Sequence, residues 1–131
     1  MWPLNPLQLQ QMKKTDRLKI YNKYGGHCAY CGKPIEYKDM QVDHKVPIYR
    51  GYGTLVGVER GTDDFSNLMP SCRSCNFRKG TLSVEEFRRE LTKQFERIVK
   101  NSFQVRQSVD YGLLLLNPHD IEFYFEKHKI D

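Results

Sequence analysis

Long apolar stretches are what this chain lacks most. Its longest apolar run is Leu113–Leu116, far short of the roughly 20 residues that a membrane-spanning helix needs. The opening Met1-Trp2-Pro3-Leu4 has none of the basic-then-apolar build of a secretion signal. A reducing cytoplasm is therefore the expected compartment. No internal repeat or low-complexity tract is visible, which excludes a repeat architecture. Apolar residues make up only 39% of the 131 positions, and charged residues 28%. Such a chain forms one domain with a modest core, which a structural metal would help to hold. Nor is any cysteine left over, since all four stand in two Cys-x-x-Cys pairs, Cys28/Cys31 and Cys72/Cys75.

The net charge is +5, and it is unevenly spread. Residues 13–50 carry 9 Lys/Arg against 4 Asp/Glu, and residues 72–100 carry 8 against 4. The stretches 51–71 and 101–131 are each net −2. Basic character thus gathers around the cysteine segments, where a polyanion would dock. The excess is mild and equally fits a solvated surface.

Along the chain, Pro3 and Pro6 disfavour helix and predict an extended arm over Trp2–Leu9. Thr15 or Asp16 can cap a short helix through Leu18, Tyr21 and Tyr24, ended by Gly25-Gly26. Met40–Val46 alternates apolar and polar residues, as a strand does. That strand carries Asp43 and His44 near its end, and Pro47 helps to stop it. Four glycines between 50 and 62 predict a long loop or hairpin. Asp63–Leu68 reads as a helical turn. Ser83 and Glu86 form a capping box for a helix to about Lys100, whose stripe of Phe87, Leu91 and Phe95 is core. Phe103–Tyr111 reads as a short helix, and the alternation of Ile121–Glu126 as a strand.

In a reducing compartment, two Cys-x-x-Cys pairs read as one metal site rather than as disulfides. Four thiolates make a closed tetrahedral shell for Zn²⁺. With 40 residues between the pairs, the site clamps everything from 28 to 75. His27 adjoins Cys28, but four sulfurs already fill the shell, so it reads as a strand residue.

Asp43-His44-Lys-Val-Pro47, then Asn67-Leu68, then Cys72-x-x-Cys75-Asn76-x-x-Lys79 resembles the HNH endonuclease family in its zinc-bound, four-cysteine form. The resemblance is strong over about residues 15–80. It implies an α+β fold, a small ββα-metal (His-Me finger) core with a four-cysteine zinc knot and flanking helices. It divides the chain into the arm 1–14, a nuclease domain 15–100 and a C-terminal extension 101–131 packing on the core. His44 matches the general base, Asn67 the brace that orients it, and Asn76 a metal ligand, where many members have histidine. Asp43 matches the acidic ligand beside the base.

The implied activity is DNA phosphodiester hydrolysis, nicking or cutting both strands, with duplex DNA the expected partner. One-metal hydrolysis with His44 as base would leave a 5′-phosphate and a 3′-hydroxyl. Asp43 and Asn76 offer hard oxygen donors, which suit Mg²⁺ or Mn²⁺. Arg73, Arg78 and Lys79 lie beside the expected site as candidate phosphate contacts, or as plain surface charges. Each residue also has a duller reading: Asp43-His44 as a surface pair, Asn67 as a turn cap, Asn76 as a helix cap. Tyr30, Tyr37, Tyr49 and Tyr52 can stack on bases or cover the small core. The competing functions are a zinc-stabilised nucleic-acid-binding module that does not cut, and a protein-interaction domain using the aromatic tail.

Overall fold

A computed structural model describes residues 14–48 and 60–129. The expected arm, apart from Lys14, most of the glycine-rich loop, and Tyr49 and Tyr52 lie outside the described residues. The chain divides into two compact units, one drawn from Met1–Val84 and Glu122–Asp131 and the other from Glu85–Ile121.

The first unit is α+β. Helix α1 (Lys14–Asn22) comes first, followed by strands β1 (Gln41–His44) and β2 (Leu68–Ser71). Helices α2 (Arg73–Lys79) and, at the far end of the chain, α5 (Tyr124–Lys127) complete it. The strands pair antiparallel, Gln41 opposite Ser71 and His44 opposite Leu68. α2 follows β2 after the single residue Cys72, so strand, strand and helix stand in the order ββα. Pro70 lies within β2, where a missing N–H would normally break a ladder. Its carbonyl accepts from Ala29 N at 2.8 Å, so its nitrogen side also faces away from β1 and the ladder loses nothing.

Ile20, Met40 and Leu68 form the apolar centre, with Tyr21, Ile35 and Val42 packed around it. On α1, Leu18 is 45% exposed and Ile20 is buried at 1%. Arg17 ties α1 to the approach of β1 by donating to Tyr37 O at 3.0 Å and Met40 O at 2.8 Å. Past the helix end, Gly25 and Gly26 adopt φ of 62° and 81°, a region open to glycine at no steric cost. Lys23 donates to Phe65 O and Leu68 O, both at 2.8 Å. It thereby anchors the 3₁₀ turn Phe65–Asn67, the helical turn expected before β2.

The tail corrects one expectation. Ile121–Glu126 is no strand: Phe123 is extended and Tyr124–Lys127 is a single helical turn. Its N–H groups go to the first cysteine loop, Tyr124 N to Tyr30 O at 3.0 Å and Phe125 N to Ala29 O at 2.8 Å. Glu126 turns back to accept from Phe123 N at 2.8 Å, and that cap closes the turn. Phe123 and Phe125 both meet the Tyr30 ring edge-on, at 5.4 and 5.9 Å between centroids.

The second unit holds α3 (Val84–Asn101) and α4 (Phe103–Asp110). Ser102 caps α4 by accepting from Val105 N at 3.2 Å, and Gly112 follows with φ of 72°. On α3, Phe87 is 1% exposed and Ile98 48%. Among the described residues no helix is long and apolar enough to cross a membrane.

Candidate active site and metal centre

The two cysteine pairs meet. All four sulfurs lie within 4.8 Å of one another, and Cys31 and Cys72 are 3.9 Å apart. Four sulfurs bound tetrahedrally at about 2.3 Å from zinc would stand roughly 3.8 Å apart, so the cluster fits that ion. Each half is shaped locally. In the first, Gly32 N bonds back to Cys28 O at 3.0 Å, and Gly32 has φ of 81°. In the second, Cys72 caps α2, its sulfur accepting from Cys75 N at 3.4 Å.

A hydrogen bond from Cys75 pulls the Cys28 thiol down to about 4, against the effect of burial. The Cys75 thiol is pushed up, first by that same bond. Four thiolates this close repel one another, and a divalent cation is what lets them ionise together. His27 stands outside the cluster, in an isolated bridge with Pro34, its ring stacked on Tyr124.

On β1, Asp43 and His44 point to opposite faces, as neighbours on a strand do. Asp43 faces inward and is 4% exposed. The Tyr30 hydroxyl donates to its Oδ2, and Lys79 Nζ sits 3.1 Å from the same oxygen. Burial raises the Asp43 carboxyl, opposed mainly by the Lys79 charge. Burial also holds the Tyr30 phenol well above its ordinary value, so Tyr30 remains a neutral donor. Lys79 lies at the end of α2, 1% exposed, and also donates to His44 O at 2.9 Å. It is therefore buried beneath β1, not on a phosphate-facing surface, whereas Arg73 and Arg78 are exposed. Replacing Lys79 with methionine should leave the Asp43 charge buried and unpaired. Chemical denaturation should register a loss of about 3–5 kcal/mol, and an unchanged midpoint would contradict the pairing.

The His44 side chain turns to the other face and meets Asp63, Nε2 to Oδ1 at 2.9 Å. An ionised carboxylate only accepts, so Nε2 is the donor, and in the neutral ring Nδ1 then keeps a lone pair. Asp63 escaped the sequence reading. The one hint was the acidic balance of 51–71 between two basic segments.

Asn67, 8% exposed, brings these two side chains together. Its amide accepts from Val46 N at 2.8 Å and donates to Val46 O at 3.0 Å and Thr62 O at 2.8 Å. Those bonds lock the residues after His44 against the residue before Asp63. Gly61 adds a bond to Pro47 O at 2.9 Å. Any β-carbon at Gly61 would overlap the Val46 carbonyl oxygen, so only glycine fits that closure.

Asn76 stands one helical turn before Lys79. It lines an open groove with Lys33, Gln41, Arg73, Ser74 and Phe77, a groove that Asp43 does not line. Asp43 is thus a hard-oxygen donor already facing a cation, the Lys79 ammonium. Among the described residues, the four cysteines are the one group of three or more His, Cys, Asp or Glu side chains with metal-binding spacing.

Residues 28–82 match the family model of the HNH endonuclease. Over 92 residues the chain is 32% identical to YoqL, a protein derived from the SPbeta prophage of Bacillus subtilis strain 168 and named as an HNH endonuclease. That match covers 63% of this chain and 36% of YoqL, so the chain spans about a third of its relative's length. Among solved structures, the Type II-C Cas9 enzyme from Actinomyces naeslundii is similar with a TM-score of 0.48 and 26% identity. The likeness covers 65% of this chain and 10% of that one.

Proposed function

Because residues 28–82 are an HNH endonuclease domain, we propose that the protein hydrolyses DNA phosphodiester bonds with His44 as general base. The observation that carries this reading is the His44–Asp63 pair, 2.9 Å apart and partly open to solvent. With Nε2 committed to Asp63, Nδ1 accepts the proton of a water molecule. The hydroxide oxygen then bonds to phosphorus, the bond to the 3′-oxygen breaks, and that oxygen takes up a proton. The products are a 5′-phosphate and a 3′-hydroxyl. Asp63 holds the ring in its useful tautomer and stabilises the imidazolium that forms. Arg73 and Arg78 supply phosphate contacts.

Asp43 and Asn76 carry the hard side-chain oxygens that would hold a Mg²⁺ or Mn²⁺ ion. When bound, such an ion neutralises charge on the scissile phosphate and the departing oxygen. The four cysteines hold Zn²⁺, which is structural.

The Asp43–Lys79 pair favours one alternative, a zinc-stabilised module that binds nucleic acid without cutting it. Supercoiled plasmid separates the two. Zinc-loaded protein should nick or linearise it only after Mg²⁺ or Mn²⁺ is added, and intact plasmid under all conditions would support the binder. Asp63→Asn should retain zinc and fold yet lower the cleavage rate roughly 10- to 100-fold, part of the 10²–10⁴ ascribed to a general base. Cleavage at the parent rate would remove Asp63 from the mechanism.

A further inference from the structure

Phe77 lies within α2, between Asn76 and Arg78, and is 81% exposed. The groove it lines has a volume of about 600 Å³, and its other walls are Lys33, Gln41, Arg73, Ser74 and Asn76. Two of those six residues are cationic and none is acidic. Elsewhere α2 is committed inward, through the Cys72 and Cys75 sulfurs and the Lys79 ion pair. An aromatic face bordered by cations and amides, with no carboxylate, has the complementarity of a nucleotide: a ring to stack on and charges for the flanking phosphates. A peptide or a lipid surface would leave part of that set unused.

We propose that this groove takes one unpaired nucleobase, stacked on Phe77, with the adjoining phosphates on Lys33 and Arg73. Only the class of partner rests on the nuclease reading. The base is unpaired because, in an intact duplex, both its faces are covered by its neighbours, and an inserted ring has to open the step. Gln41 and Ser74 face the base edge, where each can donate or accept and so tolerate different bases. With Asn76 on the same wall, the stacked base belongs to the strand that enters the cleavage site. The protein then prefers opened or single-stranded DNA over a closed duplex.

The test is binding, measured by fluorescence anisotropy with labelled oligo-dT and a matched duplex. The His44→Ala background slows cleavage, and no divalent ion is added beyond the protein's own zinc. Phe77→Ala should weaken single-strand binding at least about fivefold, and Phe77→Tyr should restore it. Arg73→Ala should lower the slope of log affinity against log salt by roughly 0.7. In a Trp2→Phe background, the tryptophan introduced by Phe77→Trp should lose emission when oligo-dT binds. Single-strand affinity indifferent to Phe77→Ala, with that emission unchanged at saturation, overturns the proposal. So does duplex binding tighter than single-strand binding. If the nuclease reading alone is wrong, plasmid stays intact while the dependence on Phe77 remains. If the groove alone is wrong, cleavage proceeds and binding ignores Phe77.

Discussion

His44→Ala should reduce plasmid cleavage by about 10²–10⁴-fold, the range ascribed to a positioned general base, without loss of zinc or of folded structure. The contrast between rate and fold follows from where the ring sits. The His44 side chain is 16% exposed and contacts Asp63, whereas the β1 residue packed into the apolar centre is Val42. Lys79 is bound to the His44 carbonyl, and alanine keeps that carbonyl. Truncating the imidazole therefore removes the proton acceptor and leaves the ladder, the Asp43–Lys79 pair and the Asn67 brace in place. The rate should be read as single-turnover nicking at saturating Mg²⁺, with circular dichroism and zinc content as controls. Cleavage undiminished in His44→Ala would remove the base assignment outright.

Cys72→Ser should act in the opposite way, abolishing the fold of the first unit along with its zinc. Structural zinc sites bind with about 10–16 kcal/mol near neutral pH, comparable to or larger than the whole stability of a typical domain, about 5–15 kcal/mol. Among the described residues the sheet has two strands, and a lone two-stranded pair is marginal in water. The apolar cluster of Ile20, Met40 and Leu68 is small. Cys72 also caps α2, a role serine fills as well, so the substitution removes the metal ligand and leaves the cap. Zinc quantification and far-UV circular dichroism should fall together, and a strong chelator should reproduce the result in the parent protein. A folded, zinc-free Cys72→Ser protein would show that the clamp is dispensable.

What could be read in the sequence was what lies close along the chain. Each cysteine pair announces itself through a three-residue spacing, and four thiols in two such pairs leave one economical solution, which the sulfur cluster bears out. The strand through Asp43 and His44 was legible because alternation is a local signal. Pairings across long separations were not. Tyr30, Asp43 and Lys79 lie 13 and 36 positions apart, and no period links them. Lys79 therefore looked like one more surface cation, when burial and a carboxylate had claimed it. Asp63 was hidden for the same reason, 19 positions beyond His44. The tail failed differently: Phe123 and Phe125 alternate because both pack on one tyrosine ring, and a four-residue turn does that as well as a strand.

That tyrosine ring has a consequence for where the working domain ends. Phe123 and Phe125 lean on Tyr30, and the Tyr30 hydroxyl holds Asp43. The final turn thus belongs to the same mechanical linkage as the acidic residue beside His44. A fragment cut at residue 84, which keeps every residue of the family match, would uncover the Tyr30 ring and slacken a neutral donor on that carboxylate. The first compact unit is accordingly discontinuous in sequence, drawing on Glu122–Asp131 as well as Met1–Val84.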